Sequence, residues 1–202
     1  MNHQRLSWRV ELALAASIAF AGAGCRERPP VAAAEQVHPT YDAKTGALTR
    51  LEADSDHDGK IDTWAYMDGA RVVRVEVDEN GDGKVDRWEY HGRPAAPGAS
   101  AGGPDTIERI ERATRHDGVV SRWEYFEHGS LVRVEEDTDG DGKVDKWETY
   151  SGGTLTMMAI DTRHRGKPDR RLVYRDNGTL DRIETDPAGT GRFEPLPAAP
   201  AK

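Results

Sequence analysis

A short loop rich in aspartate and glycine recurs along this 202-residue chain at a nearly fixed spacing. The glycines that close the six copies are Gly59, Gly83, Gly118, Gly142, Gly166 and Gly191. Consecutive copies are separated by 24, 35, 24, 24 and 25 residues, and the long interval contains a Pro-, Ala- and Gly-rich insertion at 91–104. Such a period is typical of repeat proteins, in which each unit contacts mainly its neighbours. We therefore expect a row of similar small units.

Each unit contains two runs in which side chains alternate in character with a period of two, the pattern of β-strands. In the second unit, Trp88 and Tyr90 alternate with Arg87 and Glu89. The preceding run alternates Val73, Val75 and Val77 with Arg74 and Glu76. We expect each hairpin to combine an aromatic and aliphatic face with an opposite Arg/Glu face, on which opposite charges pair across strands.

These units predict an all-β fold of six β-hairpin repeats that form an elongated or rolled antiparallel sheet. Two arrangements would bury the apolar face: a rolled or folded sheet with the tryptophans inside, or a solenoid-like stack of hairpins. The tryptophans concerned are Trp64, Trp88, Trp123 and Trp147. The repeat domain is expected at 41–194, and 195–202 is expected to be a disordered tail.

Three of the loops have carboxylates at alternate positions followed by glycine, and oxygen ligands on a tight turn suit Ca²⁺. In the first loop the candidate ligands are Asp54, Asp56, Asp58, Asp62 and the main-chain carbonyl of Lys60. In the second they are Asp78, Asn80, Asp82, Asp86, Glu89 and the carbonyl of Lys84. In the fourth they are Asp137, Asp139, Asp141, Asp145, Glu148 and the carbonyl of Lys143. Asp-Gly sequences also form turns without metal, but turns do not require three or four mutually repelling carboxylates.

The second and fourth loops resemble EF-hand calcium loops, with ligand types at positions 1, 3, 5, 7, 9 and 12 and glycine at position 6. Their flanking runs alternate as strands rather than helices, so the chain departs from the helix–loop–helix form. The DxDxDGxxD core is also similar to the calcium loops of thrombospondin type 3 repeats and integrin-type propellers. In that geometry Asp86 and Asp145 would be ligands, and Glu89 and Glu148 would be free to pair with arginines. The segments Trp-Glu-Tyr, Gly-Ser-Leu131-Val-Arg and Asp-Gly-Lys resemble bacterial tyrosine-aspartate repeats, which implies a string of short hairpins.

The other three loops have lost ligands. The third has Ala113 and Arg115 at carboxylate positions, and the sixth retains too few carboxylates for more than weak binding. In the fifth, Arg163 and Arg165 are expected to pair with acidic residues of their own loop, so that an internal cation replaces the ion. Histidine and glycine alternate at the fourth loop position, as His57, Gly81, His116, Gly140, His164 and Gly189. We expect these histidines to be turn or surface residues rather than transition-metal ligands.

The N-terminus has the pattern of a bacterial secretory leader at 1–24: arginines, a short apolar run at 12–20 and then small residues. Cys25, the only cysteine, follows them and resembles the lipidated cysteine of bacterial lipoproteins, although Gly22 stands where that family usually has leucine. An ordinary cleaved leader with an incidental cysteine is the alternative. The resemblance implies a flexible tether at 25–40, an anchor in the membrane through the lipid, and an outer-membrane address, with the protein facing the periplasm or the cell surface.

The net charge of −8 argues against nucleic acid as a partner and fits cation binding. Ser100 lies in a Gly-x-Ser-x-Gly string, but the string falls in the insertion, without the strand and helix that a nucleophile needs. We therefore expect no enzyme. The first hypothesis is a lipid-anchored calcium-binding repeat protein of the cell envelope with a structural or interaction role. The alternative is a module whose aromatic face binds envelope glycan or a protein partner.

Overall fold

A computed structural model describes residues 37–92 and 106–196, and these contain thirteen β-strands and no helix. The strands are β1 (His38–Tyr41), β2 (Leu48–Ala53), β3 (Thr63–Asp68), β4 (Arg71–Val77), β5 (Arg87–His91), β6 (Ile107–Arg112), β7 (Arg122–Glu127), β8 (Ser130–Glu136), β9 (Lys146–Ser151), β10 (Thr154–Ile160), β11 (Arg170–Tyr174), β12 (Leu180–Thr185) and β13 (Glu194–Pro195). The all-β prediction is confirmed. The strands begin three residues before the expected boundary at residue 41 and end one residue after 194. Cys25, the leader and most of the insertion lie outside the described residues.

All of these strands belong to one antiparallel sheet in which spatial order equals sequence order. Each strand pairs with the strand before it and the strand after it, so the sheet is an open meander whose two edges are β1 and β13. Every residue of β1 is exposed. The contacts are consequently local in sequence, as expected for a row of repeated units.

The six Asp/Gly loops lie together at one end of this sheet, because each joins an even-numbered strand to the next odd-numbered strand. They are called loop one (54–62), loop two (78–86), loop three (113–121), loop four (137–145), loop five (161–169) and loop six (186–194). Turns such as 128–129 and 152–153 join the strands at the opposite end. Residues that have the same position in different loops therefore lie in a row along one sheet end.

The strand register differs from the expected separation into an apolar and a charged face. Directly paired residues of antiparallel strands lie on the same face. Trp88 pairs with Glu76 on β4 and Glu111 on β6, whereas Glu89 pairs with Val75 and Ile110. Both faces therefore mix apolar and charged groups, and the predicted Arg/Glu face is wrong. The length of loop two sets this pairing, and a shift of one residue would have placed the valines beside the aromatic rings.

The face that carries the tryptophans contains a repeated cluster of tyrosine, arginine and glutamate. The Arg74 guanidinium lies 4.2 Å from the centre of the Tyr66 ring, and the Tyr66 hydroxyl donates a 2.7 Å hydrogen bond to Glu76. Arg74 also pairs with Glu76 at 3.0 Å. Two further clusters have the same contacts: Tyr90, Arg109 and Glu111, and Tyr125, Arg133 and Glu135. Cation–π contacts and ion pairs thus take the place of a second layer on this face.

The apolar core is small and lies within the sheet itself. Val134, which is fully buried, pairs with Glu124 and Glu148 on the neighbouring strands. The carboxylates of these glutamates pair with Arg122 and Lys146, whose aliphatic stems can cover the valine. The other buried apolar residues are Val77, Ile110, Ala113 and Ala159. Most buried polar residues are aspartates of the loops, so the loop end of the sheet is unusually polar for a buried region.

Candidate metal-binding loops

The first and ninth residues of the loops continue the sheet hydrogen bonding beyond the strands. In loop four, the Asp145 amide donates to the carbonyl of Glu136, and the Asp145 carbonyl accepts a 2.8 Å bond from the amide of Asp161, the first residue of loop five. The same bond joins Asp78 to Asp62 and Asp186 to Asp169, each at 2.9 Å. The aspartates at these two positions are buried in loops two, four and five. The sheet therefore holds successive loops in a fixed order at its end.

Loop four shows how the sequence folds locally. The Asp137 carboxylate accepts hydrogen bonds from the amides of Gly140 at 2.7 Å and Gly142 at 3.0 Å. Burial raises the pKa of Asp137, but the two amides and Arg115 outweigh burial and hold the pKa below its usual value. Asp137 is therefore ionised at neutral pH.

Asp139 and Asp141 of loop four also accept hydrogen bonds from main-chain amides. Asp139 accepts from the amide of Asp141, and Asp141 accepts from the amide of Lys143 at 2.8 Å. Carboxylate oxygens of Asp137, Asp139 and Asp141 lie within 4.8 Å of one another. Three of the predicted ligands are thus brought together around one point.

The ninth residue of loop four has another local partner. Both oxygens of Asp145 accept from Thr138, whose hydroxyl donates at 2.7 and 2.9 Å. The amide of Thr138 donates to the same carboxylate at 3.2 and 3.3 Å. Asp145 therefore closes the loop onto its second residue, and the oxygens predicted to bind metal already have hydrogen-bond donors.

The two glutamates at position 12 lie inside strands and contact cations. Glu148 accepts from the Tyr150 hydroxyl at 2.7 Å and pairs with Lys146 at 3.3 Å. Burial and this hydrogen bond raise the pKa of Tyr150 to about 12. Glu89 forms an ion pair with Arg87. Neither glutamate belongs to a carboxylate cluster among the described residues, which agrees with pairing to cations rather than with the EF-hand arrangement.

Loop one repeats the carboxylate cluster of loop four. Oxygens of Asp54, Asp56 and Asp58 lie within 4.8 Å of one another. The ninth residue, Asp62, accepts from the amide and hydroxyl of Ser55. Burial raises the pKa of Asp62, but hydrogen bonds from Thr63, Ser55 and the Asp56 amide lower it overall. The Lys60 ammonium lies 3.7 Å from Asp58, a contact that the sequence analysis did not predict.

Loop two has the predicted first, third and fifth residues but closes differently. Asp78 accepts from Gly81 and Gly83, Asn80 accepts from the Asp82 amide, and the Lys84 amide donates to Asp82. Its second residue is Glu79, which has no hydroxyl to donate to the ninth residue. One oxygen of Asp86 consequently has no hydrogen-bond partner among the described residues, although the side chain is only 1 % exposed.

A cavity of about 270 Å³ lies between loops one and two. Five carboxylates line it, together with Lys60, Ile61 and two glycines: Asp56, Asp58, Asp62, Asp78 and Asp82. Loops one and two are the two acidic loops that are adjacent to each other, so carboxylates meet here without an intervening basic loop.

The loops that lost ligands contribute cations instead. In loop three, Arg115 lies 3.9 Å from Asp137 of loop four and donates to the carbonyl of Asp137 at 3.3 Å. In loop five, Arg163 and Arg165 lie 3.6 and 3.9 Å from Asp169, so the expected pairing within this loop is confirmed for Asp169. Asp161 accepts from backbone amides rather than from guanidinium groups.

Two histidines make contacts that the sequence analysis missed. His164 of loop five lies with Nδ1 2.6 Å from Asp139 of loop four, and His116 of loop three lies 3.1 Å from Asp86 of loop two. Each histidine therefore reaches back to the acidic loop before its own. The alternation of histidine and glycine at the fourth position was the available signal, but the strand order was needed to show which loops are neighbours.

No protein-family model and no curated protein matches this chain. Among solved structures, the crystal structure of accessory secretory protein 1,2 and 3 in Streptococcus pneumoniae is similar over 62% of this chain and 19% of that chain. The sequence identity is 14% and the TM-score is 0.30, which supports no conclusion about fold or function. In the part of the chain that the structure describes, no helix is long and apolar enough to cross a membrane.

Proposed function

We propose that this chain is a lipid-anchored, calcium-binding repeat protein of the bacterial cell envelope with a structural or interaction role. One observation carries the proposal: in loops one and four, three carboxylates converge so that their oxygens lie within 4.8 Å of one another. Hard oxygen ligands in a flexible loop are what Ca²⁺ prefers. Loop two adds a third candidate site through Asp78, Asn80 and Asp82.

Electrostatics support a cation at these positions. Two carboxylates about 4 Å apart repel each other by about 4 kcal/mol at an effective dielectric constant of 20. Local hydrogen bonds from amides reduce this cost, and a dication that binds the folded loop removes more of it. Calcium would therefore stabilise the loop end of the sheet, because the unfolded chain does not hold the carboxylates together.

The test is a calorimetric Ca²⁺ titration of the chelator-treated chain from residue 25 with the substitution Cys25→Ser. The sheet begins at His38, so removal of 1–24 deletes no described residue. We expect two or three sites with dissociation constants of about 10⁻⁴–10⁻³ M, the range of extracellular modules. Saturation at a hundredfold excess over the dissociation constant should stabilise the fold by about 2.7 kcal/mol per site. Mg²⁺, which accepts these flexible loops less readily, is the comparison ion.

A matched pair of variants locates the binding. Asp139→Ala should remove one site, because Asp139 belongs to the loop four cluster and alanine offers no oxygen ligand. Asp117→Ala in loop three should remove none, because Asp117 has Ala113 and Arg115 at the partner positions. A folded β-sheet that gives no calcium heat and no change in melting temperature at millimolar Ca²⁺ would show that the aspartates only form turns.

The membrane anchor is proposed on Cys25, which lies outside the described residues. Expression of the whole chain in a Gram-negative host, followed by membrane fractionation, tests it directly. The unsubstituted protein should sediment with membranes and extract into detergent, whereas Cys25→Ser should be released. Equal partition of both forms would contradict lipidation.

A glycan-binding module is the second candidate, and the alignment of four tryptophans on one face favours it. Trp64, Trp88, Trp123 and Trp147 lie on alternate strands, about 9.6 Å apart, and all are half-buried. The tyrosines beside three of them are covered by arginines, so only the indole rings are available for stacking. Quenching of tryptophan fluorescence by soluble cell-wall fragments would support this candidate, and an unchanged spectrum would argue against it.

A further inference from the structure

Loops four and five together present a set of ligands that no single loop contains. Loop five contributes His164, and loop four contributes Asp139 and Asp145. The imidazole nitrogen and the two carboxylate oxygens lie within 4.8 Å of one another, and Asp145 is 6 % exposed. These residues differ from the calcium cluster of loop four because one ligand is nitrogen and comes from the next repeat.

We infer that His164, Asp139 and Asp145 form a binding site for a first-row transition-metal dication such as Zn²⁺. Imidazole is a preferred ligand of zinc, whereas Ca²⁺ binds oxygen almost exclusively. Three protein ligands and one open position also match the zinc sites that retain a water molecule. The proposal uses two carboxylates of loop four but does not require that calcium binds there.

The geometry needs little adjustment. Zinc bonds to nitrogen and carboxylate oxygen are about 2.0–2.2 Å long, so two ligand atoms of one ion are at most about 4.4 Å apart. His164 Nδ1 and the Asp139 carboxylate, at 2.6 Å, are already closer than that limit. Rotation of the half-exposed imidazole and of Asp139 would widen this separation. One Asp145 oxygen would exchange its long hydrogen bond from the Thr138 amide for the ion, while the Thr138 hydroxyl holds the carboxylate in place.

The charged neighbours of His164 do not fill the site. Arg163 lies 3.6 Å from Asp169 and donates a 2.8 Å hydrogen bond to the carbonyl of Pro187 in loop six. Lys167 donates to the carbonyl of Gly189, also in loop six. These cations of loop five are therefore engaged on the side away from loop four, and the pair formed by His164 and Asp139 remains open to an ion.

A contact between one histidine and one aspartate of loops three and two gives the inference further support. His116 of loop three reaches Asp86 of loop two at 3.1 Å, just as His164 reaches back to loop four. The other oxygen of Asp86 is buried and has no hydrogen-bond partner among the described residues. Such an oxygen is costly to bury unless something binds it. A metal ion held by His116 and Asp86 would satisfy it, so the two histidines define equivalent positions along the loop end of the sheet.

The experiment is a calorimetric titration of Zn²⁺ into the chain from residue 25 with Cys25→Ser, which removes a thiol that would itself bind zinc. The variant is His164→Gly, because glycine is the residue that loops two, four and six have at this position. The backbone at residue 164 is left-handed, with a φ of 53°, and glycine adopts this conformation without steric strain, so the fold should be retained. His57→Gly is the control: it has the same loop position and a φ of 65°, and it forms no ion pair with a described residue.

The proteins compared all carry His116→Gly, so that zinc held by His116 and Asp86 does not contribute. In this background His164→Gly should weaken Zn²⁺ binding at least tenfold, whereas His57→Gly should leave it unchanged. A Ca²⁺ titration of the same proteins separates this inference from the calcium proposal. Calcium binding without zinc binding, or zinc binding that His164→Gly does not weaken, would overturn the inference and leave the calcium proposal intact. Zinc binding that depends on His164, in a protein that gives no calcium heat, would overturn only the calcium proposal. Circular dichroism of each variant establishes that the sheet is folded.

Discussion

The guanidinium of Arg133 lies 4.0 Å from the centre of the Tyr125 ring, and both side chains contact the same glutamate. Arg133 pairs with Glu135 at 2.9 Å, and the Tyr125 hydroxyl donates to Glu135 at 3.3 Å. Burial and the charge of Glu135 raise the pKa of Tyr125, so the phenol remains protonated and able to donate. The same cluster occurs on β3–β4 and β5–β6, so it is a repeated means of holding neighbouring strands where no second layer of described residues covers the sheet.

This cluster predicts that Arg133→Lys destabilises the sheet although it conserves charge. Lysine can still pair with Glu135, but it lacks the planar group that stacks on the ring. We expect a loss of about 0.5–1 kcal/mol, the range of cation–π contacts at exposed sites. Urea unfolding measures it, with Arg175→Lys as the control. Arg175 lies in the turn before β12, pairs with Asp181 and has no described ring contact. Equal costs for the two variants would show that stacking contributes nothing.

The Thr138 hydroxyl closes loop four, so its removal should cost more stability than the loss of one cation–π contact. Thr138→Val keeps the shape of the side chain and removes the hydroxyl that donates to both oxygens of Asp145. Asp145 is buried and would keep only the longer hydrogen bonds from the Thr138 amide, so we expect a loss of about 1–3 kcal/mol. Thr156→Val is the control, because its hydroxyl donates to one exposed carbonyl. If chemical denaturation gives the two variants the same stability, closure of loop four does not depend on this hydroxyl.

Much of this fold follows from the sequence, because the strand alternation and the glycine period act locally. Trp88 and Tyr90 alternate with charged residues, and β5 has the predicted alternation and ends at His91. The face composition did not follow, because it depends on the register between neighbouring strands, which the connecting loop sets. Val77 pairs with Arg87, which places Glu76 rather than a valine beside Trp88. No pattern within either strand contains that information.

The candidate sites likewise contain parts that local spacing predicts and parts that it does not. The first, third and fifth carboxylates of loop four converge as the spacing predicted, because adjacent residues on a tight turn determine their positions. The ninth residue was predicted as a ligand, but its bond to Thr138 involves the second loop position, which carries no metal ligand in the pattern. The contact between His164 and Asp139 joins two loops and became visible only with the strand order.

Acid should weaken the protein through Asp161, whose folded-state pKa is depressed. Burial alone would raise this pKa, but the amides of Arg163, Gly166, Arg165 and Lys167 lower it overall. The ionised form is therefore the one that stabilises the fold. Its contribution is complete above the unfolded pKa of about 3.9 and is lost as pH falls through the folded value.

Asp161→Asn should accordingly cost about 2–4 kcal/mol at pH 7, since several amides lose a charged acceptor. The difference between the unsubstituted chain and the variant should stay constant down to about pH 5 and shrink below about pH 4. Urea unfolding at a series of pH values measures this. The exposed Asp176 forms no hydrogen bond or ion pair with a described residue, so Asp176→Asn should cost less than about 0.5 kcal/mol at pH 7. A difference for Asp161→Asn that persists unchanged at pH 3 would contradict the assigned pKa.

The turn between β7 and β8 predicts a stabilising substitution. Glu127 pairs with Ser130, so His128 and Gly129 form a two-residue turn with φ values of 51° and 76°. Both residues have a left-handed backbone conformation, which is typical of the type I′ turn, and this turn favours the sequence Asn-Gly. His128→Asn should therefore raise the free energy of unfolding by about 0.5 kcal/mol, within the gain typical of improved turn residues.

The opposite substitution at the same position provides the control. His128→Val places a β-branched residue in the left-handed region and should cost about 1–2 kcal/mol. The corresponding turn between β9 and β10 is Gly152-Gly153, with φ values of 56° and 80°, which shows that the repeat needs this conformation and not a particular side chain. Urea unfolding of the two variants distinguishes the explanations: if asparagine and valine give equal stability, turn conformation does not limit this hairpin.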